Sequence, residues 1–565
     1  MVIHYQDQHY DRLKNQCRQQ NLLFQDPNFP ATDQSLYYSQ SPPRVVEWKR
    51  PQELVRLPRL FPTSGISPRD LQQGSLGNCW FVAAASCLAK DPSIWKKVIP
   101  SPQDQEWPRP GGGSHCGIFR FRFWRFGRWV EVVIDDRLPT SGGELIFCRP
   151  GHKTNAFWCP LLEKAYAKLI GSYEALDGGS TAEALIDFTG GVSEPIDILE
   201  EKLQSDEEKK KLFKAMMKAH SRASLICSSI RPAANQSMEE VLSSGLVTGH
   251  AYSVTAVKSI TLHSGLFSLF RTHKLRLVRL RNPWGSGEWK GAWSDGSEEW
   301  KKVSQRERKK LGVTVDDDGE FCISSFFQYG PFVSLGHPKF DPSRVDLYVF
   351  CTFLLTDFQV EVNRKYRLHC AASKASSSTY INSRSVLLHT DLQKGRYVIL
   401  PTTFHPGQTG AFLLRVYTDR ACHLRELKKD APEPSCLSIT GSARVVTSVT
   451  VHSASGLSVP GGNSDPSVYV MVQCEGRKAT SRTVKGRNPE FDLKAIFYRK
   501  HEKKPIVVQV WQSRWARDVL LGSVSIPCPV GESKQISVLR LQRKDVTLAG
   551  YIMVETSSSS DLTAL

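Results

Sequence analysis

Apolar and polar residues alternate along several stretches of this chain of 565 residues. The longest such stretch runs from Phe119 to Ile134, where phenylalanine alternates with arginine before valine and isoleucine continue the pattern. A period of two is typical of half-buried strands, with the apolar side chains inward and the arginines in solvent. Residues 251–254 and 275–281 are also strand-like, whereas the alanine-rich stretch that follows Cys79 predicts a helix.

The chain changes character beyond residue 320. Alternation separated by turns rich in glycine and proline predicts strands at 384–388, 395–400 and 410–417, which together indicate a β-sandwich. From about residue 439 the chain is again rich in strand patterns. The fold class predicted from these patterns is α+β, with the helices confined to the first part.

Cys79 stands where a protein can activate a thiol. The segment 73–79 reads QGSLGNC, and Asn78 before a run of helix formers predicts an N-cap with Cys79 in the first turn. The dipole at a helix N-terminus favours thiolate over thiol. The carboxamide of Gln73 and the backbone N–H of Cys79 could then form an oxyanion hole. Since the chain has 14 cysteines and most cysteines are buried small hydrophobes, this nucleophile needs supporting partners.

A cysteine nucleophile needs a base, and the base needs a residue that orients it. His250 follows Gly249 at the start of a predicted strand, and Asn282 ends the strand-like run 275–281. The Asn282 side chain could accept the ring N–H of His250 and select its tautomer without adding charge. Taken singly, a core histidine and a turn asparagine are the simpler interpretations. Taken with Cys79, the three residues indicate a Cys/His/Asn catalytic set.

These motifs resemble the protease core of the calpain family, and the resemblance runs from about residue 10 to residue 320. It is carried by 73–80, 249–252 and 281–285, and by 23–27, 29–31, 47–51, 135–139, 163–168 and 187–191. The resemblance implies a papain-like cysteine protease with Cys79 on one subdomain, His250 and Asn282 on the other, and a cleft between them. We expect the hinge at Gly190 and the glycine that follows it, because paired glycines tolerate the change that closes a cleft.

Calpains bind calcium in the protease core, so the resemblance also implies oxygen ligands. For the second subdomain they are the carboxylates of Glu288, Asp295, Asp318 and Glu320 and the carbonyl of Asp316. Four carboxylates on two loops suit a hard cation. The residues by themselves favour a solvated acidic turn, and their spacing is not that of an EF-hand loop.

The first subdomain departs from the family at its calcium site. The matching ligands are the Asp70 carboxylate and the carbonyls of Thr63 and Gly65, but Ala156 stands where the family has glutamate. Loss of one of two carboxylates weakens a calcium site. We therefore expect the second core site to bind calcium and the first to bind it loosely or not at all.

Charge and composition limit the partners. The net charge of +18 and the isoelectric point near 9.3 raise nucleic acid or anionic membrane as partners. Yet the aromatic and basic residues at 119–129 have strand periodicity, and Lys209–Lys211 follows acidic residues on a predicted helix, as on a solvated face. We expect no nucleic-acid partner. Scattered cysteines and a start without a signal peptide indicate a cytoplasmic protein, at most peripheral to membranes.

The segment 321–437 resembles the β-sandwich that follows the calpain protease core. Its first part, 321–364, matches poorly and is too short, which indicates either a splice or gene-model variant or a diverged segment.

The segment 438–565 resembles a C2 domain and has no EF-hand loops, so we expect a monomer without a small subunit. Asp465 and Asp518 remain from the acidic loops of such domains, but Gln512 and Arg514 stand where further acidic ligands are expected, so calcium binding there is doubtful. The basic residues nearby favour contact with acidic lipid or with a protein, and a packing module is as plausible. These residues are Lys485, Arg487, Arg514 and Arg517.

The predicted function is a calcium-regulated intracellular cysteine endopeptidase that makes limited cuts in protein substrates. The alternative is a proteolytically weak scaffold or membrane-binding adaptor that uses its sandwich and C2-like portions. The predicted domains are an N-terminal segment, two protease subdomains, the shortened sandwich and the C2-like domain, at 1–25, 26–190, 191–320, 321–437 and 438–565.

Overall fold

The protein was examined as a computed structural model, which divides into two units, Met1–Asp341 and Pro342–Leu565. Each unit is described by itself. The structure describes residues 2–108, 115–151, 155–196, 198, 205–230, 232, 237–262, 273–311, 318–324, 331–337, 351–355, 373–377, 384–393, 395, 397–402, 411–428, 442–458, 465–514, 517–544, 546–562 and 564.

The helices of the described residues all lie in unit 1, as the patterns predict. The α-helices are α1 Tyr10–Gln20, α2 Asp33–Leu36, α3 Pro51–Leu54, α4 Cys79–Leu88, α5 Pro92–Val98, α6 Trp158–Ile170, α7 Thr181–Thr189, α8 Asp206–Ser221 and α9 Gln305–Leu311. The 3-10 helices are Tyr5–Asp7, Pro68–Asp70, Pro102–Gln105, Glu174–Leu176 and Glu298–Lys302. None of the helices described is long and apolar enough to cross a membrane.

The strands of unit 1 form small sheets in its first half and one larger sheet in its second. They are β1 Val2–His4, β2 Glu47–Lys49, β3 Leu71–Gln72, β4 Ile118–Arg125, β5 Arg128–Asp135, β6 Leu138–Ser141, β7 Glu144–Leu145, β8 Arg149–Pro150, β9 Val192–Ile196, β10 Leu225–Ile230, β11 Ala251–Leu262, β12 His273–Arg281, β13 Glu320–Ile323 and β14 Pro331–His337. The larger sheet has the order β13-β12-β11-β10-β14-β9. We call residues up to 190 the Cys lobe and residues 191–337 the His lobe. The sheet therefore continues past residue 320, where the sequence predicts the second subdomain to end.

The helix α4 forms the centre of unit 1. All ten of its side chains are buried, because its sequence is apolar on every face. They share one hydrophobic core with helices α6 and α7 of the Cys lobe and with Cys227 and Ala251 of the His lobe. The helix that begins with Cys79 thus packs directly against the sheet that follows His250.

The alternating stretch that begins at Phe119 is a hairpin of β4 and β5. Phe119, Phe121 and Phe123 are fully buried, which confirms the inward face that the period of two predicts. Arg120 is also buried, against that prediction. It lies between the Tyr10 ring and the Glu131 carboxylate, which compensate its charge.

The N-terminal segment is an integral part of unit 1. Strand β1 pairs in parallel with β5, and Tyr10 and Phe24 pack in a small core with residues of the β4–β5 hairpin. The Lys168 ammonium of α6 donates to Asp26 Oδ2 at 2.6 Å, to the Val133 carbonyl at 2.7 Å and to Gln8 Oε1. These buried polar contacts attach the segment to the protease core.

Unit 2 contains a three-stranded sheet and a larger sheet. Its strands are β15 Cys351–Leu355, β16 Ser373–Ser376, β17 Tyr397–Pro401, β18 Val445–Ser455, β19 Ser467–Cys474, β20 Arg477–Thr480, β21 Val484–Lys485, β22 Glu490–Arg499, β23 Ile506–Gln512, β24 Val519–Ile526, β25 Gly531–Arg543 and β26 Val546–Ser559. Strands β16-β15-β17 form the smaller sheet. The larger has the order β20-β19-β23-β24-β25-β26-β18-β22, with β21 beside β19. Its two halves meet through one residue pair, Ser523 with Gln542, and enclose a common valine-rich core, as in a β-sandwich.

Two of the strands predicted in the 321–437 segment are not strands in the structure. The stretch 395–400 overlaps β17, but 384–388 and the described residues 411–417 have no extended ladder. Leu388, Leu414 and Val416 nevertheless pack with Tyr397 and Ile399. Alternation therefore identified the inward side chains, whereas a strand also requires a neighbouring strand with which to pair.

Candidate active site

Cys79 is the first residue of α4, and its side chain is 7% exposed. Asn78 is at the N-cap position, as the sequence predicts, but its side chain does not cap the helix. Its Nδ2 donates instead to Glu163 Oε1 at 2.6 Å.

His250 immediately precedes β11 and is fully buried. Its Nε2 lies 2.8 Å from Asn282 Oδ1. Asn282 follows the end of β12, and its Oδ1 also accepts the Trp284 N–H at 3.0 Å, while its Nδ2 donates to the Gly287 carbonyl at 3.1 Å. These bonds fix the amide with its oxygen toward the imidazole, so Nε2 carries the hydrogen that it donates.

The other ring nitrogen of His250 is available to Cys79. A ring nitrogen, the Cys79 sulfur and a Glu239 oxygen all lie within 4.8 Å of one another. The Trp284 ring covers the imidazole, with centroids 4.6 Å apart. The three residues predicted as a Cys/His/Asn set are therefore together in the structure, in the order sulfur, imidazole, amide.

Glu239 is a neighbour that the sequence did not predict. Its Oε1 lies 3.8 Å from His250 Nδ1, and its side chain is 41% exposed. Burial lowers the pKa of His250, but contacts with Cys79, Glu239 and Asn282 outweigh burial and raise the pKa to about 9. The contact with His250 likewise lowers the pKa of Glu239, against the effect of burial. The site thus stabilises an imidazolium.

Gln73 lies beside the site but is engaged with its own loop. Its Nε2 donates to the Leu76 carbonyl at 2.8 Å, and its Oε1 is buried without a hydrogen bond among the described residues. An amide nitrogen has a second hydrogen, which leaves it able to donate elsewhere. Its predicted part in an oxyanion hole stays a prediction.

The loops of the two lobes meet at Gln73. Its backbone N–H donates to the Pro283 carbonyl at 2.8 Å. Gly285 has a φ of +70°, and a Cβ there would lie 2.7 Å from the Gln72 side-chain nitrogen. The loop that carries Asn282 therefore packs closely on the loop that leads to Cys79.

The buried carboxyl group of Glu163 bonds to the turn that precedes α4. Glu163 accepts the Asn78 amide and the Cys148 N–H, the latter at 2.9 Å. Burial outweighs these bonds and raises the pKa of Glu163 to about 7. The group thereby holds the turn before Cys79 in place.

The residues predicted for the second calcium site come together in part. Arg69 of the Cys lobe contacts Asp318 Oδ2 at 2.9 Å and Glu320 Oε2 at 3.4 Å. The Gly319 N–H donates to Glu288 Oε1 at 3.1 Å. Asp295 and Glu320 both act on the buried Cys322 thiol, whose pKa burial raises to about 12. Asp316 lies outside the described residues.

The carboxylates of this set suit a cation, because a guanidinium already bridges two of them. They are not gathered into one compact group, since within the described part only Cys79, Glu239 and His250 place three ligand atoms within 4.8 Å of one another. Glu320 also accepts from Arg279 Nε at 3.2 Å. Calcium would replace these arginine contacts with its own.

The residues predicted for the first calcium site include one carboxylate. Asp70 is buried, which raises its pKa, and its Oδ2 accepts the Ser67 N–H at 2.7 Å. Thr63 and Gly65 lie in an exposed turn. Ala156 is fully buried in a bridge with Arg59, so its methyl group offers no ligand. The donor set at this position fits calcium poorly.

The C2-like loops of unit 2 hold an arginine where a calcium ligand was expected. Arg514 Nε donates to Gln512 Oε1 at 3.0 Å, and its backbone N–H donates to Asp518 Oδ1 at 3.1 Å. Tyr469 donates to the other Asp518 oxygen at 2.8 Å. The exposed Asp465 is the remaining carboxylate of the predicted loops.

Comparison with known families identifies the chain. A profile described as calpain family cysteine protease matches residues 24–330, which include Cys79, His250 and Asn282. The chain belongs to the calpain family. The profile of the calpain large subunit, domain III, matches 343–417, and that of the C2 domain matches 446–540. The family and the three kinds of domain predicted from the sequence are confirmed.

Relatives in several animals are similar over most of the chain. Calpain-5 of Mus musculus is 45% identical, with 99% of each chain covered, and Calpain-5 of Caenorhabditis elegans is 34% identical, with 99% of this chain and 98% of the relative covered. Calpain-A of Drosophila melanogaster is 36% identical over 74% of this chain and 58% of its own. The mouse alignment spans 639 residues, more than the 565 of this chain, so that relative has residues without a counterpart here.

Sequence reasoning missed three contributors to the site. Glu239 lies in an irregular loop with no periodic signal, and only folding brings it to His250. Arg69 is adjacent to Asp70 in sequence, but its contact with Asp318 spans the two lobes. Glu163 lies in a segment that resembles the family, and its position inside an apolar helix was the available signal, since buried carboxyls are rare unless paired.

Proposed function

We propose that this calpain is a calcium-regulated cysteine endopeptidase that makes limited cuts in protein substrates. The observation that carries the proposal is the contact series from Cys79 through His250 to Asn282. The Cys79 sulfur attacks the peptide carbonyl, and His250 gives its proton to the leaving amine. Water, deprotonated by His250, then releases the acyl group. Asn282 is the positioning residue that keeps the imidazole oriented.

Negative charge develops on the carbonyl oxygen during this attack. The Cys79 backbone N–H, at the open end of α4, and the second hydrogen of the Gln73 amide are the donors proposed for it. The hydrogen bond from the Gln73 backbone N–H to the Pro283 carbonyl supports a role of Gln73 as donor, because it holds the loop that carries Gln73 beside the His lobe. Trp284 excludes water from the imidazole–amide contact.

Calcium is linked to calpains and to C2 domains in general. In this chain the proposed core ligands are Glu288, Asp295, Asp318 and Glu320, with the carbonyl of Asp316. Bound calcium supplies a divalent charge that neutralises these carboxylates. Arg69, which joins Asp318 to the Cys lobe, performs part of that neutralisation itself.

Cleavage of a protein substrate tests the proposal directly. The full chain is incubated with and without calcium, and both substrate cleavage and autolysis are compared with those of Cys79→Ala. We expect cleavage by the unmodified chain only with calcium, and none by the variant. If neither chain cuts at any calcium concentration, the scaffold alternative is preferred.

The pH dependence of cleavage reports the charge of His250. Because the raised pKa of His250 is about 9, the imidazolium persists up to that pH and activity falls as pH rises through it. Glu239→Gln removes a carboxylate that lies 3.8 Å from His250 Nδ1 and stabilises the imidazolium. In a plot of kcat/KM against pH, the fall at high pH is therefore expected about one pH unit lower for this variant.

Glu240→Gln is the matched control for this profile, because Glu240 is exposed and adjacent but contacts Ser237. Its profile is expected to match that of the unmodified chain. If kcat/KM fell at the same high pH in both variants, Glu239 would not act on His250.

Calcium binding by the core is expected to occur at one site. Glu320→Gln removes a ligand of the second site and should weaken calcium binding at least about tenfold. Ala156→Glu restores the carboxylate missing from the first site and should add a second binding event. Calorimetric titration of the full chain in the Cys79→Ala background measures both.

Titration of the chain with Ala156 unchanged can contradict this expectation. Two core sites of comparable affinity in the chain with Ala156 would contradict the expected weakness of the first site. Retained affinity in Glu320→Gln would exclude that residue as a ligand.

The C2-like domain is proposed to bind acidic lipid without calcium. Arg514 and Lys485 lie at the loops where a calcium-binding C2 domain has acidic residues. Sedimentation with vesicles that contain phosphatidylserine, with and without a chelator, distinguishes lipid binding from a packing role. Protein substrates are proposed because the chain is a calpain. A monomeric state is proposed because the sequence 438–565 has no EF-hand loops for a small subunit.

A further inference from the structure

Two buried cysteines face each other across the boundary between the lobes. Cys87 lies near the end of α4 in the Cys lobe, and Cys227 lies in β10 of the His lobe. Their sulfurs are 3.7 Å apart, and both side chains are buried. Both are free thiols. No step of the proposed mechanism uses this pair.

The two thiols are not equivalent. Either sulfur can donate in their contact, and this contact lowers the pKa of Cys87 and raises the pKa of Cys227. The positive charge of Lys90 acts on Cys87 in the same direction. Cys87 Sγ also donates to the Ile226 carbonyl at 3.2 Å. The Lys90 ammonium donates to the Thr255 carbonyl at 2.5 Å. Two thiols in contact are the arrangement in which a sulfenic acid formed at one sulfur is converted to a disulfide by the other.

We propose that Cys87 and Cys227 form a disulfide under oxidation, and that this bond ties the two lobes together. A disulfide needs a sulfur separation of about 2.05 Å, so the sulfurs must approach by less than 2 Å, which side-chain rotation can supply. The bond would join α4, which begins with Cys79, to β10. Strand β10 pairs with β11, which begins directly after His250. The tie therefore connects the helix that begins with Cys79 to the strand that pairs with β11, next to His250.

Hydrogen peroxide supplies the oxidising equivalents in this step. The Cys87 thiolate attacks one oxygen, the O–O bond breaks, and water leaves after the second oxygen takes up the thiol proton. The Cys227 sulfur then attacks the resulting sulfenic acid, the S–O bond breaks, and a second water leaves with the Cys227 proton. Two thiols lose two electrons and two protons, and one peroxide becomes two waters.

Formation of the disulfide does not depend on catalysis. Any effect of the disulfide on cleavage rests on the proposed function. With the lobes tied, Cys79 and His250 stay in the register that the structure shows. The loop closed by the bond has about 140 residues, and such a crosslink restricts the unfolded chain strongly. An increase in the unfolding temperature on the order of 5–10 °C is expected for the oxidised chain.

The test uses the full chain with Cys79→Ala, so that neither autolysis nor oxidation of the nucleophile intervenes. The protein is treated with hydrogen peroxide, free thiols are alkylated, and digested peptides are analysed by mass spectrometry. We expect a crosslinked pair of peptides with Cys87 and Cys227, reversible by dithiothreitol, together with the higher unfolding temperature. Cys87→Ser and Cys227→Ser should each abolish both, whereas Cys322→Ser, at a buried thiol elsewhere in the sheet, should change neither.

The exposed Cys422 reports the oxidant dose within the same sample. If Cys422 is oxidised while Cys87 and Cys227 both remain alkylatable, the proposal is wrong. It is also wrong if Cys87 stops at the sulfenic acid or is overoxidised, or if the crosslink joins other cysteines only. Substrate cleavage plays no part in this test, so failure of the proposed function would not affect its result.

Discussion

Cys79→Ala and His250→Ala are each expected to lower kcat/KM by roughly 10⁵-fold or more, and the double variant by no more than either one. The two side chains act as one unit, because the sulfur needs the imidazole to accept its proton and the imidazole needs the sulfur to attack. A ring nitrogen of His250 and the Cys79 sulfur lie within 4.8 Å of each other. Cleavage of one peptide substrate with calcium present measures all three variants.

Asn282→Ala provides the graded comparison. Asn282 orients His250 without taking part in bond making, so its loss should cost less than the loss of His250. Circular dichroism and unfolding temperature serve as controls, since Asn282 also bonds to Trp284 and Gly287. Two outcomes would contradict this division of roles. One is an additive loss of kcat/KM when Cys79→Ala and His250→Ala are combined, and the other is a larger loss of kcat/KM for Asn282→Ala than for His250→Ala.

Lys168→Met is expected to lower the free energy of unfolding by about 3–5 kcal/mol, because it leaves the Asp26 carboxylate buried without its cation. Lys168 and Asp26 are both almost fully buried, with nitrogen and oxygen 2.6 Å apart. Gln8 of the N-terminal segment bonds to both members of the pair, so the pair anchors that segment to α6. The midpoint of urea unfolding, followed by tryptophan fluorescence, measures the loss.

Lys210→Met is the matched control for this ion pair. Lys210 contacts Glu207 at 3.0 Å, but both side chains are exposed, so its loss should cost about 0.5 kcal/mol or less. Combining Lys168→Met with Asp26→Leu should recover part of the stability, because no charge then stays buried. Equal losses for Lys168→Met and Lys210→Met would show that the N-terminal segment is not held by the buried pair.

The residues proposed as the catalytic set could be picked out because each has a local signal. Cys79 begins α4, His250 immediately precedes β11 and Asn282 immediately follows β12, close to the element boundaries that the sequence predicts. Strong periodicity also predicted the buried phenylalanines of β4. The family resemblance added the expectation that these segments meet.

What sequence could not show depends on contacts between distant segments. Asn78 was expected to cap α4, but its amide is oriented so that Nδ2 donates to the buried Glu163, and its Oδ1 accepts no hydrogen bond among the described residues. Arg69 and Glu239 act at the site through charges that only the folded chain brings near Asp318 and His250. The residues 411–417 have strand alternation without a strand, because pairing is decided by neighbours.

The central proposal is that Cys79 is a nucleophile activated by His250 and regulated by calcium. The most direct measurement is the rate at which a peptidyl epoxide alkylates the full chain, with the modified cysteine identified by mass spectrometry. We predict a single adduct at Cys79 that forms at least about tenfold faster with calcium than with a chelator, and more slowly in His250→Ala. Alkylation at other cysteines, or at Cys79 at the same rate without calcium, would contradict the claim.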